Sequence, residues 1–400
     1  MKKITVIGAG FAGLTLSLRL AQKGFQVDLY EKSSRVGGLL RTEYTPHGMA
    51  EKAANGLLVT ESVMQLFDEL QVSKALPLQE SSKRYIFRNH PSRWPLKIFE
   101  SLGLLARMAP KMIFRKSALI PRPHETLQQW GLRNLGAAGT EWLLLPGMQG
   151  VYGDLTTDLS ASLVLGPLFR RKRKGARKYK GLISCEKGMQ ELIDALHQKV
   201  VSLGVQVHLS SEADLSVNTP LVIATSLSAA QKMLPLRNSA VAAVFAKIAT
   251  RPLISLTLFF KSAPTQYQGF GCLIPQNAGL QTLGVLMNSF IFPKRGSSHS
   301  ETWILKDSPG VSDEHLLKTV AQERAQILEA HDELVDYRVS RWPEALPMYD
   351  LSLEKALEKL AQIPSDKKTY LHGNYLGGIG LSKILERSEE LAEQIARDHA

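Results

Sequence analysis

A short β-branched run, Ile4-Thr5-Val6-Ile7, leads directly into Gly8-Ala9-Gly10-Phe11-Ala12-Gly13, and no other feature of this 400-residue chain restricts its fold so tightly. The run fits a strand buried on both faces, and the helix after it should carry Leu14, Leu16, Leu18 and Leu20. Each glycine answers a separate need. Gly8 permits a tight strand-to-helix turn, Gly10 lets a pyrophosphate approach the backbone, and Gly13 lets the helix pack closely on the sheet. The helix N-terminus then offers free N–H groups and the positive end of its dipole to the phosphates. A second strand, Gln26-Val27-Asp28-Leu29-Tyr30, ends at Glu31, about 20 residues past the glycines, where a carboxylate can accept hydrogen bonds from a ribose diol. The pattern predicts a dinucleotide-binding βαβ unit.

The chain is long enough for two or three domains, and 44% hydrophobic residues can supply their cores. A formal net charge of +12 suggests an anionic partner: a phospholipid surface, a nucleic acid or a polycarboxylate substrate. Cys185 and Cys272 have no metal-ligand spacing, which indicates neither a zinc site nor a disulfide framework and points to a reduced, cytoplasmic chain. Lys2 and Lys3 precede apolar residues as in a signal peptide, but glycines interrupt that run early. No apolar stretch approaches the roughly 18 residues of a membrane-spanning helix, so a membrane would be met on its surface.

NAD and FAD both suit the first motif, and the residues after Glu31-Lys32 separate them. Gly37-Gly38-Leu39-Leu40-Arg41 at this distance resembles the second fingerprint of the flavin amine oxidase superfamily. The resemblance implies FAD, with the double glycine along its pyrophosphate and Arg41 orienting nearby backbone. It also implies an α/β fold (α+β overall), with a Rossmann-type FAD-binding domain, an inserted sheet-based substrate domain and an inserted helical domain.

Four later segments narrow the likeness. Lys83-Arg84-Tyr85-Ile86, Gly269-Phe270-Gly271-Cys272-Leu273-Ile274-Pro275, Trp342-Pro343-Glu344-Ala345-Leu346-Pro347-Met348-Tyr349 and Gly373-Asn374-Tyr375-Leu376-Gly377-Gly378-Ile379-Gly380-Leu381 resemble, in order, motifs of the oxygen-dependent protoporphyrinogen oxidase and coproporphyrinogen oxidase family. Ile183-Ser184-Cys185-Glu186-Lys187-Gly188-Met189 is similar to a further motif of that family. By this resemblance Ala53-Ala54-Asn55-Gly56 runs beside the isoalloxazine ring, although the family usually has glycine at the position of Ala53. Val207 meets the adenine side through its backbone, or is simply a sheet residue. Trp342 lies near the flavin, or is core. Gly373, Ile379, Gly380 and Leu381 form the turn at the ring's pyrimidine end.

The same comparison divides the chain into an FAD-binding domain (1–56, 182–240 and 335–400), a substrate domain (57–90 and 241–334) and a helical region (91–181). The helical region holds apolar segments around residues 98–105 and 142–145. It ends in the run from Arg170 to Gly181, where eight of twelve residues are basic. Such a run is usually a solvated loop, but it can also hold an anionic leaflet. The resemblance implies peripheral membrane binding through this region, on the inner face of the cell membrane. No zinc finger, helix-turn-helix or RNA-binding aromatic motif accompanies the charge, so no nucleic-acid partner is expected.

No Ser/His/Asp triad, paired carboxylates or metal cluster can be picked out, so no side chain is expected to be catalytic and no metal is expected. In a flavin oxidase the cofactor carries the redox chemistry, and the protein supplies orientation, electrostatics and exclusion of water. The resemblance implies that a porphyrinogen gives up hydride from a meso carbon to the flavin, with dioxygen as the final acceptor and hydrogen peroxide as its product. Arg84 is the candidate anchor for a substrate propionate, because a guanidinium can grip a carboxylate in a bidentate fork; its alternative is a surface ion pair. Phe270, Gly271 and Leu273 would line the face opposite the flavin, with Ile304 as a further apolar wall. Departures from the family pattern exist: its terminal Gly-His is replaced here by Ser352-Leu353, and a glycine pair by Lys306-Asp307. Two other readings stay open, an amine oxidase or desaturase with an apolar substrate, and an FAD-bound scaffold without turnover. Which porphyrinogen is used and the oligomeric state are not set by the sequence.

Overall fold

The computed structural model describes residues 2–153, 156–170, 181–307 and 310–400. A five-stranded parallel sheet is ordered Thr369–Leu371, Leu221–Ile223, Lys3–Ile7, Gln26–Tyr30, Gln206–His208. The first strand lies at its centre, which is why Ile4 to Ile7 are apolar or β-branched throughout: both faces are covered. On one face Ile4 and Val6 meet Leu14, Leu18 and the helices Met189–Ser202 and Leu381–Asp398. On the other, Ile7, Leu221 and Ile223 meet Leu227, Phe245 and Leu353.

A second sheet has seven strands in the order Leu334–Pro347, Thr250–Phe260, His299–Lys306, Thr282–Leu286, Gly271–Leu273, Arg84–Arg88, His90–Ser92. Its pairings are antiparallel except that Gly271–Leu273 runs parallel to Arg84–Arg88. Among the described residues, those from 98 to 170 form helices and no strand, beginning with Ile98–Phe114.

Two of the expected boundaries move. The strand Leu334–Pro347 was expected with the FAD-binding segments from residue 335. It instead pairs along Thr250–Phe260 in the second sheet, with Leu253 opposite Trp342. The helix Glu61–Leu70 was expected in the substrate domain. Its Val63, Leu66 and Phe67 are fully buried in the core of the first sheet. Both shifts have one cause: periodicity reports that a face is buried, not which core buries it.

The second sheet is tied to its own helix, Asp313–Leu328, by a buried ionic cluster. Glu301 is completely buried and accepts hydrogen bonds from the Arg324 guanidinium at 3.0 to 3.2 Å. It also accepts from the Trp303 indole at 3.0 Å and pairs with His299 at 3.0 Å. These partners hold its carboxyl below the usual range despite full burial. Arg324 also lies 3.8 Å from the centroid of the Phe260 ring and bonds Asp332. Arg324→Leu would strand a buried carboxylate, and we expect a loss of about 3–5 kcal/mol, measured by denaturant unfolding at constant flavin saturation.

Candidate cofactor and substrate cavity

At the end of the central strand the chain turns at Gly8, whose φ of +99° lies in the region that disfavours side chains. A Cβ placed on Gly13 would stand 1.8 Å from the Gly8 carbonyl oxygen, so the helix Phe11–Gln22 lies directly against the turn. Gly10 is different: a Cβ there would meet nothing nearer than Gly38 Cα at 3.9 Å. The crowding at Gly13 is internal to the protein, whereas the space beside Gly10 is free. The helix has no side-chain cap at Gly10, which leaves its first-turn N–H groups for a ligand.

Glu31 closes this turn from the neighbouring strand. Ala9 N–H donates to Glu31 Oε2 at 2.8 Å, and the backbone and hydroxyl of Ser33 donate to Oε1 at 2.9 and 2.8 Å. The double glycine reaches the same place, with Gly37 N–H bonded to Ala9 O at 2.7 Å. Arg35 holds that loop in shape by donating to Val36 O at 3.0 Å and to Gly38 O at 2.6 Å. The sequence reading gave this task to Arg41. Arg41 is exposed and does not line the cavity, while Arg35 folds back over the carbonyls of its own turn.

These elements open onto a cavity of about 2910 Å³. Ordinary small-molecule sites occupy roughly 300–1,000 Å³, so this one has room for a dinucleotide together with a second large molecule. Glu31, Lys32, Gly37, Gly38 and Leu39 line one part, with Ser211, Glu212 and Ala213 beside them. Farther in stand Ala53, Ala54, Asn55 and Gly56. That loop is fixed from the second sheet. Trp342 Nε1 donates to Lys52 O at 2.8 Å, and Asn55 donates to Asn288 Oδ1 at 3.0 Å. Asn288 in turn donates to Thr302 Oγ1 at 2.8 Å.

Gly373, Ile379, Gly380 and Leu381 form a further wall, where the helix Leu381–Asp398 begins with a second uncapped N-terminus. Tyr349 clamps this turn: its hydroxyl donates to Asn374 O at 2.7 Å and accepts from Gly378 N–H at 2.9 Å. Burial raises the phenol's pKa, keeping that hydroxyl protonated and able to donate. The Ser352-Leu353 departure lies elsewhere, in a helix turn capped by Asp350, and neither residue lines the cavity.

Arg84, Phe270, Gly271, Leu273 and Ile304 all line the far half. Gly271 is in register with Arg84 across the parallel strand pair, and Ile304 is opposite Gly284. Arg84 is exposed and lies over the Phe270 ring at 4.5 Å from its centroid, with no ion pair among the described residues. Cys272 is buried beside them, and burial raises its thiol pKa, so it stays a neutral thiol.

Four expected cofactor residues do not line the cavity: Ala9, Gly13, Arg41 and Val207. Ala9 and Gly13 act within the turn, as described. Val207 is a sheet residue in register with Leu29, and the wall near Glu31 comes from the residues that follow it, from 211 onward. The basic positions 171–180 lie outside the described residues. Arg35, Tyr349 and the segment 211–213 were not anticipated. An arginine among small residues in a glycine turn was a usable signal for the first. The other two become visible only when distant segments meet.

The family model described as flavin containing amine oxidoreductase matches residues 11–214, just over half of the chain. Over 98% of its length the chain is 23% identical to the mitochondrial protoporphyrinogen oxidase of Nicotiana tabacum, covering 94% of that protein. It is also 23% identical to the protoporphyrinogen oxidase of Bos taurus, over 98% of both chains. Among solved structures, cyclohexylamine oxidase from Brevibacterium oxydans superposes with a TM-score of 0.75 at 14% identity, over 100% of this chain and 99% of that one.

The two glycine positions give a direct test of the geometry. Gly13→Ala has no room inside the protein and should lower the thermal midpoint of the apoprotein. Gly10→Ala should leave that midpoint unchanged yet weaken FAD at least tenfold by blocking close approach of the pyrophosphate, measured by flavin fluorescence titration.

Proposed function

The chain belongs to the flavin containing amine oxidoreductase family, binds FAD and is an oxidoreductase, and from that premise we propose that it oxidises protoporphyrinogen IX to protoporphyrin IX with dioxygen as acceptor. Coproporphyrinogen III is the alternative substrate of the same reading. One observation carries it: Arg84, an exposed guanidinium with no ion pair among the described residues, lies against the Phe270 ring at a cavity whose lining there includes Leu273 and Ile304. An apolar polyene would offer that cation no partner, and a protonated amine would be repelled by it. A macrocycle with an apolar body and anionic propionates satisfies both the walls and the cation. Full-length relatives bearing the name protoporphyrinogen oxidase support the same reading.

Each part of the site then has a task. Gly8, Gly10 and the N–H groups of Phe11 and Ala12 would hold the pyrophosphate of FAD. Glu31 keeps lone pairs free for the ribose hydroxyls after accepting from Ala9 and Ser33. The loop Ala53 to Gly56 and the turn Ile379 to Leu381 would flank the isoalloxazine, with Trp342 and Tyr349 acting through these loops as positioning residues. FAD, when bound, supplies the acceptor of the hydride. The apolar walls exclude water, and Arg84 sets the macrocycle's orientation, so placement rather than side-chain acid–base chemistry is the protein's share.

The helix Ile98–Phe114 supports attachment to a lipid surface. None of its residues is buried, and Phe99 and Phe114 are 86% and 81% exposed. Its Met112, with Ile120, Leu168 and Phe169, lies at the cavity, so a docked helix would bring the opening to the membrane. No helix among the described residues is long and apolar enough to cross a bilayer.

Anaerobic mixing with protoporphyrinogen or coproporphyrinogen should bleach the bound flavin, and failure of both would overturn the proposal. Arg84→Ala should raise KM about 10- to 100-fold with kcat nearly kept, the loss expected for one charge-assisted hydrogen bond. In flotation with anionic liposomes, Phe99→Ser/Phe114→Ser should lose most membrane binding while flavin content is unchanged; equal flotation would remove this helix as the anchor.

A further inference from the structure

A buried amide stands at the inner wall of the substrate half. Gln149, in the helix Leu145–Tyr152, is 3% exposed and lines the cavity. Its nitrogen donates to Ile274 O at 2.7 Å and to Leu283 O at 3.0 Å, so both amide hydrogens are taken. These bonds also settle which way the amide faces. Turned over, its oxygen would stand against two carbonyl oxygens. Nε2 therefore faces the backbone and Oε1 the other way, and no hydrogen bond of the described residues uses Oε1. Nor is Oε1 among the side-chain atoms sealed from solvent without a partner, so it opens onto the cavity.

We propose that Gln149 Oε1 is the acceptor for the N–H groups at the centre of the bound macrocycle, and so a specificity-determining residue of the site. This rests on the porphyrinogen reading given above. The placement suits it. A Cβ on the adjacent Gly150 would stand 2.8 Å from Leu273 Cδ2, which puts this helix turn directly beside Leu273. Two positions earlier on the same strand, Gly271 is in register with Arg84. Two residues of strand span about 7 Å, a spacing comparable to the distance from the centre of a tetrapyrrole to its rim. The chamber thus offers a cation where the propionates are and an uncharged acceptor where the pyrrole N–H groups are. A substrate without N–H groups would leave the oxygen dry and unpaired. Oxidation of a porphyrinogen removes N–H groups from its centre, so the product meets Gln149 with fewer donors than the substrate, which favours release.

The test is anaerobic equilibrium titration of the protein, its flavin reduced so that no turnover occurs, with two macrocycles of identical rim: protoporphyrinogen IX, whose pyrrole N–H groups tilt out of the mean plane toward an acceptor, and palladium(II) protoporphyrin IX. The metal replaces the central N–H groups and takes no axial ligand. The native protein should prefer the porphyrinogen about tenfold, the size of one hydrogen bond made or left unmade in a dry site. In Gln149→Met that preference should vanish, with flavin content and the thermal midpoint tracked alongside. A purely structural role would weaken both macrocycles equally and leave their ratio unchanged, which overturns the proposal. Equal binding of the two by the native protein overturns it as well, without recourse to any variant. If the native protein binds neither, the porphyrinogen reading itself fails and this inference with it.

Discussion

The whole site hangs on one contact that leaves no space: the helix start at Gly13 pressed against the carbonyl of Gly8. The helix starts three residues after Gly8 and packs against the turn without a gap, which places its free N–H groups at the end of the central strand. The double-glycine loop is joined to the same turn through the bond from Gly37 to Ala9, and Glu31 through Ala9 N–H. Three chain segments therefore share one rigid corner, and a dinucleotide meets a pre-formed surface. Little ordering is left to be done on binding, which preserves affinity.

From that corner the cavity runs between two sheets, and polar side chains set the gap. Trp342 and Asn288 of the second sheet region bond the loop after Lys52. Near them, Arg295 donates to Glu51 at 3.3 Å and to Ser184 at 2.7 Å, while Thr42 and Met189 also donate to Glu51. Burial raises the Glu51 pKa and lowers that of Arg295, the direction expected when desolvation outweighs the pairing. Such a network contributes little net stability, yet separating its members would leave charges uncompensated in the interior. It acts as a spacer: the two halves hold a defined separation because every smaller or larger one breaks hydrogen bonds.

On the proposed reading, the far half of the cavity selects through scarcity. Its walls are mostly carbon and backbone, so each polar atom there weighs heavily in the choice of ligand. Arg84 and Gln149 are such atoms, one cationic and one an uncharged acceptor, reached from different regions of the chain. Walls of this kind leave redox chemistry to the cofactor and give the protein control of orientation.

The α/β class, the dinucleotide turn and the choice of a flavin were legible in the sequence because they rest on local backbone demands. Gly8, Gly10, Gly13 and Glu31 are spaced by strand and helix geometry, and such spacing survives in one dimension. The lining of the cavity was legible as far as Arg84, Phe270, Leu273 and Ile304, through motif likeness. Arg35 was missed in favour of Arg41 because only the folded turn shows which guanidinium reaches the carbonyls. The helix Glu61–Leu70 and the strand Leu334–Pro347 were given to the wrong core, since an apolar face does not name its partner. Gln149 carries no motif, and its meaning lies in two carbonyls more than 120 residues away that take both its hydrogens. The sequence by itself determined where a dinucleotide must lie, because close backbone approach tolerates only glycine. Only the tertiary structure decided what faces it, because the direction of a buried polar atom is set by neighbours that are distant in the chain.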